Sequence, residues 1–271
     1  MTRSEPERTA TEQFNQSYRY ATSAVIQSIE RSVCGCAYGG TSWTTREEAE
    51  GIAQALDLTP EKRLLEVGAG AGWPSLYLAK LTGCSAVLVD LPLEGLRAAS
   101  ARVEADGLGE RCFVAQADGT ALPLKGQAFD AISHSDVLCC LPDKLGVLRE
   151  CRSAIRDNGR MAFTVIFIAA NLRAEDYAEA LAAGPQFVEA ETDYEAMLAR
   201  AGWRLASRVD LTQTFANSMR RMVATREAHA DQLAELMGAP QYEEMITQMR
   251  NKVPATNRGL LERAMFVAEP V

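Results

Sequence analysis

The sequence predicts an α/β fold: a doubly wound, mostly parallel, seven-stranded sheet with helices on both faces and a helical cap. Three observations predict it. Short apolar runs alternate with amphipathic segments from about residue 60 to residue 170, the pattern of successive βα units. The runs are nearly continuous in apolar residues, as strands covered on both faces must be. The first run leads at once into glycines at 68, 70 and 72, a tight strand-to-helix turn that puts a ligand site at the carboxyl ends of the strands. Right-handed crossovers then make the sheet doubly wound.

The elements follow in order. Residues 1 to about 12 are polar and expected to fray. Phe14, Tyr18, Ala21, Val25, Ile29 and Val33 recur at helical spacing and predict one amphipathic helix. The loop GCAYGGTSW (35–43) follows, and Thr44 or Thr45 caps a helix to about Leu56, with Glu47 and Glu48 in its first turn. RLLEVG (63–68) is a strand, WPSLYLAKL (73–81) a helix with Pro74 in its first turn, and SAVLVD (85–90) a strand. LEGLRAASARVEADG (93–107) is a helix closed by glycine. RCFVAQAD (111–118) and FDAISHSD (129–136) are strands, and KLGVLRECRSAIRDNG (144–159) is a helix ended by Asn158 and Gly159. RMAFTVIFI (160–168) is a strand, and AEDYAEALAAG (174–184) and TDYEAMLARAG (192–202) are short helices. WRLASRVDL (203–211) is a strand, two helices run over 214–237 and about 241–251, and ERAMFVAEPV (262–271) closes the chain as a strand. The expected division is a helical segment with a closing loop at 1–58 and a main domain at 59–271 with a helical insertion at about 213–255.

Charge and cysteine usage narrow the partners. A net charge of -8 argues against a nucleic-acid backbone, which binds through Lys and Arg. No 18-residue apolar span is present, so no membrane helix is expected, and the polar N-terminus lacks the apolar stretch of an export signal. The expected location is cytoplasmic. Seven cysteines, an odd number, do not suggest a disulfide framework. Cys34 and Cys36 form a C-x-C and Cys139 and Cys140 are adjacent, but with only His134 and His229 beside them no zinc pattern is matched and no metal is expected.

The glycine loop selects a ligand class. Its spacing is G-x-G-x-G, with Trp73 where a dinucleotide fingerprint has a third glycine. Pro74 removes an N–H that a pyrophosphate would use, and Glu66 puts negative charge where a pyrophosphate would sit. A cationic or amino-bearing ligand suits the loop better. Asp90, ending the second strand, can accept both hydroxyls of a ribose.

E-V-G-A-G-A-G resembles the first motif of the class I S-adenosylmethionine (SAM) dependent methyltransferases, a Rossmann-like family. Glu66, Asp90, Asp118 and Phe129–Asp130 stand in order at the family's spacing, and the resemblance covers roughly residues 40–170 with a family-like end at 259–270. It implies SAM as cofactor, with Gly68, Ala69 and Gly70 against its methionyl part, Asp90 on the ribose and Leu91 along the adenine. QADGTALPL supplies the acid for the adenine amino group as Asp118, with Gly119 beside it. Trp43 and Thr44 are expected to close over SAM, and Trp73 to line the wall near the methionyl group. His134 is the base candidate and a cofactor neighbour, against packing at a strand end. On the substrate side stand Tyr38, offering a hydroxyl or aromatic face or else core packing, and Asp136, holding an amine or else capping a turn. Arg220, with Arg221 and Arg226, either meets an acidic substrate group or forms a solvated helix face. Phe215, Met219, Met222, Met237, Met245 and Met249 give the cap a Met-rich apolar face.

The expected activity is SAM-dependent methyl transfer to N, O or S of a small molecule. The alternatives are a thiophilic enzyme with Cys34, Cys36, Cys139 and Cys140 converging on arsenite, and a non-catalytic SAM-binding regulatory protein. A homodimer is left open.

Overall fold

A computed structural model describes residues 3–271. Three helices come first: α1 (Glu5–Tyr18), α2 (Ala24–Cys34) and α3 (Arg46–Ala55). The βα units follow: β1 (Arg63–Val67), α4 (Ser75–Thr82), β2 (Ser85–Asp90), α5 (Leu93–Ala105), β3 (Cys112–Gln116), β4 (Phe129–Ser135), α6 (Lys144–Ala154) and β5 (Ile155–Ile168). Then come α7 (Ala174–Ala183), α8 (Tyr194–Arg200), β6 (Trp203–Asp210), α9 (Thr212–Ala228), α10 (Ala230–Met237), α11 (Ala239–Asn257) and β7 (Leu261–Pro270).

The seven strands form one sheet in the order β3-β2-β1-β4-β5-β7-β6. The first five are parallel, and β7 runs antiparallel to both β5 and β6. The order reverses between β1 and β4, which opens a crevice beyond their carboxyl ends.

Strand alternation divides the core. Leu64, Ala131 and Ala162 face a layer with Ile52, Leu76 and Val103, while their chain neighbours Leu65, Ile132 and Phe163 face a layer with Leu148, Met197 and Trp203. A third cluster, Ile29, Val223, Leu233, Tyr242 and Ile246, holds α2 against the cap helices α9–α11.

Four expectations change. Residues 5–18 are helical, started by a capping interaction in which the Ser4 N–H donates to the Glu7 carboxylate at 2.8 Å. The helix expected over 14–33 is broken between Tyr18 and Ala24, where Ala21 meets Gly39. A Cβ on Gly39, at φ +68°, would lie 2.2 Å from the Ala21 carbonyl oxygen, so only glycine fits there. The helix expected to reach Gly159 stops at Ala154 because buried Ile155 already pairs with Phe129. The insertion has three helices rather than two: α9 ends at Ala228, and Gly238 (φ +90°) separates α10 from α11.

Candidate active site

A cavity of about 530 Å³ lies beyond the carboxyl ends of β1, β2 and β4, roofed by α1. Its floor is the glycine loop, which is tied to β2 by the Gly68 and Ala69 N–H groups donating to the Val89 carbonyl at 2.8 and 3.1 Å. Gly68, Gly70 and Gly72 have φ of +75°, +50° and +95°. A Cβ on Gly68 would lie 2.4 Å from Val137 Cγ2, and one on Gly70 2.3 Å from the Tyr18 hydroxyl. The glycines therefore answer to the chain's own packing as well as to a ligand's approach. Gly70→Ala is expected to lose about 1–3 kcal/mol of stability through its left-handed backbone and the displaced tyrosine, read as a lowered urea midpoint.

Of the acids read from the sequence, Asp90, Asp118 and Asp136 border this cavity and Glu66 does not. Asp90 accepts the Gly70 N–H on Oδ2 and the Leu91 N–H on Oδ1, each at 2.7 Å. Burial pushes its pKa up to about 6, against the lowering by those two bonds. Each oxygen keeps a lone pair for a further donor. Asp118 accepts from the Thr120 N–H at 3.0 Å and hydroxyl at 2.8 Å on Oδ1, and from Arg3 Nη2 at 2.9 Å on Oδ2. Burial raises its pKa, but these partners outweigh it and hold the carboxyl below its ordinary value. Ala69, Leu91 and Trp73 also line the cavity, and the indole N–H of Trp73 donates to the Thr44 carbonyl at 2.8 Å. Gly119 does not line it; a Cβ there would meet Val67 at 3.1 Å.

Asp136 borders the cavity but is already engaged. It accepts from Arg263 Nε (2.8 Å) and Nη2 (3.1 Å), the Trp43 N–H (2.9 Å), the Ser42 hydroxyl (3.1 Å) and the Thr164 hydroxyl (3.1 Å). Arg263, fully buried in β7, also donates to Glu48 at 2.9 Å and to the Thr44 hydroxyl at 3.0 Å. Burial opposes the Asp136 charge, yet Arg263 overcomes it and keeps the pKa low. Asp136 thus braces the 40–45 loop and is corrected from a substrate-holding group to a structural acceptor. The buried side chain of Thr44 belongs to the same brace, and Trp43 turns away onto the edge of Phe215, 5.4 Å between ring centroids. Neither side chain lines the cavity.

Three further expectations are corrected. His134 is fully buried and stacked on Phe163 at 4.6 Å, with neither ring nitrogen hydrogen-bonded among the described residues. Burial pushes its pKa down to about 3, outweighing nearby Asp136, so it is a neutral core ring and does not reach the cavity as a base. Tyr38 lies 5.2 Å from Trp73 and carries Arg102 at 4.1 Å over its ring, and does not line this cavity. Arg220 is exposed and bonded to Asn217 and Asn257; of Arg220, Arg221 and Arg226, Arg226 is the one that lines a cavity, under the cap.

Glu66 also lies below the cavity rather than in it. It is fully buried, accepts the hydroxyl of its register partner Ser133, and burial pushes its pKa up to about 8 despite that bond. A folded-state pKa above the unfolded value gives stability that is complete below about 4.5 and lost as pH rises towards about 8. Urea midpoints are expected to fall across that window, and Glu66→Gln to flatten the fall.

The residues that sequence reasoning missed come from α1. Phe14 and Tyr18 border the cavity, and the Tyr18 hydroxyl pairs with that of Thr41 at 2.9 Å. Their helical spacing marked them as an apolar face without saying what that face covers. The cysteines do not converge: Cys34 and Cys36 lie in one core layer and Cys139 in the other.

Known proteins resemble the chain in sequence and in fold. A family described as a methyltransferase domain matches residues 65–163. Methyltransferase GfsG of Streptomyces halstedii is 29% identical over 170 residues, 60% of each chain. The glycine/sarcosine/dimethylglycine N-methyltransferase of Actinopolyspora halophila is 27% identical over 217 residues, 78% of this chain and 37% of that one. The chain thus spans less than two thirds of either relative. Among solved structures, the [4+2]-cyclase SpnF superposes with a TM-score of 0.75 at 18% identity, over 94% of this chain and 95% of that one, a likeness of fold. Residues 65–163 thus match a methyltransferase domain, and the fold around them is that of the methyltransferase-like neighbours.

Proposed function

We propose that this chain is a SAM-dependent methyltransferase acting on a small-molecule acceptor. The observation that carries the proposal is Asp90: a carboxylate fixed by two backbone N–H groups at the rim of the glycine loop, with a lone pair spare on each oxygen. That is the acceptor pair a ribose diol requires. Asp118 would take the adenine amino group, Leu91 the adenine face, and the backbone of Gly68–Gly70 the methionyl part. Bound SAM supplies a methyl already activated on a sulfonium. The chain's own work is orientation and exclusion of water: α1 brings Phe14 and Tyr18 over the cavity, and the 40–42 loop, braced by Asp136, forms its side.

With His134 buried, no histidine among the described residues faces the cavity. The groups there that could take a proton are carboxylates such as Glu7 and Asp143, so an acceptor atom with a free lone pair, or one that a carboxylate can deprotonate, fits this lining. The test is calorimetric titration with S-adenosylhomocysteine, with NADH and NADPH as controls, then a screen of acceptors with labelled SAM. Binding of the adduct alone, with turnover, supports the proposal. Binding without turnover on any acceptor favours a regulatory SAM-binding protein, and binding of a nicotinamide cofactor instead rejects the assignment.

A further inference from the structure

A second cavity of about 560 Å³ lies under the cap, between α2, α9 and α11 and the ends of β5 and β7. It shares Phe14, Gly40, Thr41 and Ser42 with the first, so one short wall divides the two. Much of its lining is adaptable and apolar: Phe215, Met219, Met222, Met237, Met245 and Met249.

Into this lining α9 projects Arg226. One terminal nitrogen lies against the sulfurs of Met245 and Met249, which are weak acceptors. Its Nε is shielded from solvent and has no hydrogen-bond partner among the described residues. The two carboxylates bordering the cavity do not answer it: Glu30 is held by the N–H groups of Tyr38, Gly39 and Gly40, and exposed Glu244 accepts from Gln248. Lys252 of α11 borders the same space. A shielded cation without an anion is costly to the fold, and a ligand that brings the anion removes the cost.

We propose that this cavity is the acceptor site and that Arg226 anchors an amphipathic organic anion, a carboxylate or phosphate ester on an apolar body, with its far end toward the shared wall at Gly40–Ser42. The planar guanidinium suits a two-oxygen head group, and the methionines suit a body of variable shape. The inference rests on reading the neighbouring cavity as the SAM site.

The test uses four probes with one apolar body type: 4-phenylbutyrate, 2-phenylethyl phosphate, 4-phenylbutan-1-ol and 4-phenylbutylamine. Each is titrated calorimetrically into the full chain and into Arg226→Met, with and without saturating S-adenosylhomocysteine. At least one anion is expected to bind about tenfold or more tighter than the alcohol and the amine, and that preference to vanish in Arg226→Met. The better anion names the head group. The variant should bind S-adenosylhomocysteine as the native chain does and melt no lower, since it sheds a partly buried charge whose Nε has no partner among the described residues. Equal binding of anion and alcohol, retention of the preference in the variant, no anion binding, or a variant that melts several degrees lower would each overturn the inference. If S-adenosylhomocysteine fails to bind the native chain, the cofactor assignment falls, and the titrations run without it still decide this one.

Discussion

Asp90→Ala is expected to weaken S-adenosylhomocysteine binding by roughly a hundredfold or more, since two hydrogen bonds to a charged acceptor are worth about 1.5–3 kcal/mol each. The N–H groups of Gly70 and Leu91 lose their acceptor in the same variant, so part of the loss comes from a looser glycine loop. Asp90→Asn separates the two effects, because its one carbonyl oxygen keeps one acceptor in place. The native affinity should also depend on pH with a defined sign. The carboxylate accepts from both hydroxyls only when ionised, so affinity is expected to be flat above neutrality and to fall as pH drops through about 6. Unchanged affinity in both variants would remove the ribose assignment.

Arg263→Met carries the largest expected effect on stability. The side chain is fully buried and holds Asp136, Glu48 and Thr44 together. Methionine fills much of the space but leaves Asp136 and Glu48 as shielded anions without a cation. Breaking such a pair from one side costs about 3–5 kcal/mol. Adding Asp136→Asn should return part of the loss, since the orphaned charge is then gone. Urea midpoints of the two single variants and the double variant measure this directly. Additive losses would mean that the two residues do not act as a pair. In the native chain the Asp136 pKa is depressed, so its share of stability is complete above the ordinary aspartate range and lost as acid passes the depressed value.

The sheet was legible because its signal is local: seven runs of strand length, each with turn residues at its ends. Asp90 reaches the cavity because it ends β2, and a strand's carboxyl end fixes where its last side chain points; Asp118 lies two residues past β3, in a turn held by Thr120. What failed was orientation across strands. His134 and Ser135 are neighbours in sequence, but only Ser135 faces the cavity, and period-two alternation decides which. A linear reading of ISHSD favoured the residue with the more useful chemistry. Arg263 was missed for a related reason. It lies in an apolar closing strand, and its partners are 127, 215 and 219 positions away. The only trace in sequence is a cation amid residues destined for burial, ERAMFVAEPV. Arg220 and Arg226 are six residues, about 1.7 turns, apart on α9, and only the packing of α11 selects between them.

The placement of α9–α11 has an evolutionary consequence. They leave the sheet after β6 and return to it at β7, and these two strands are nearest neighbours, with Asp210 opposite Ala264. Cuts at Asp210 and Ala264 would therefore lie about one strand spacing apart, about 5 Å. Any cassette whose ends meet at that distance can be grafted there without moving a βα unit of the other half. Residues 212–257 can thus diverge, lengthen or be exchanged between homologues, with α2 carried along because Ile29 shares their apolar cluster. On the proposed function, a lineage built this way would change its acceptor while inheriting the cofactor half intact, and chimeras cut at these two points would test that.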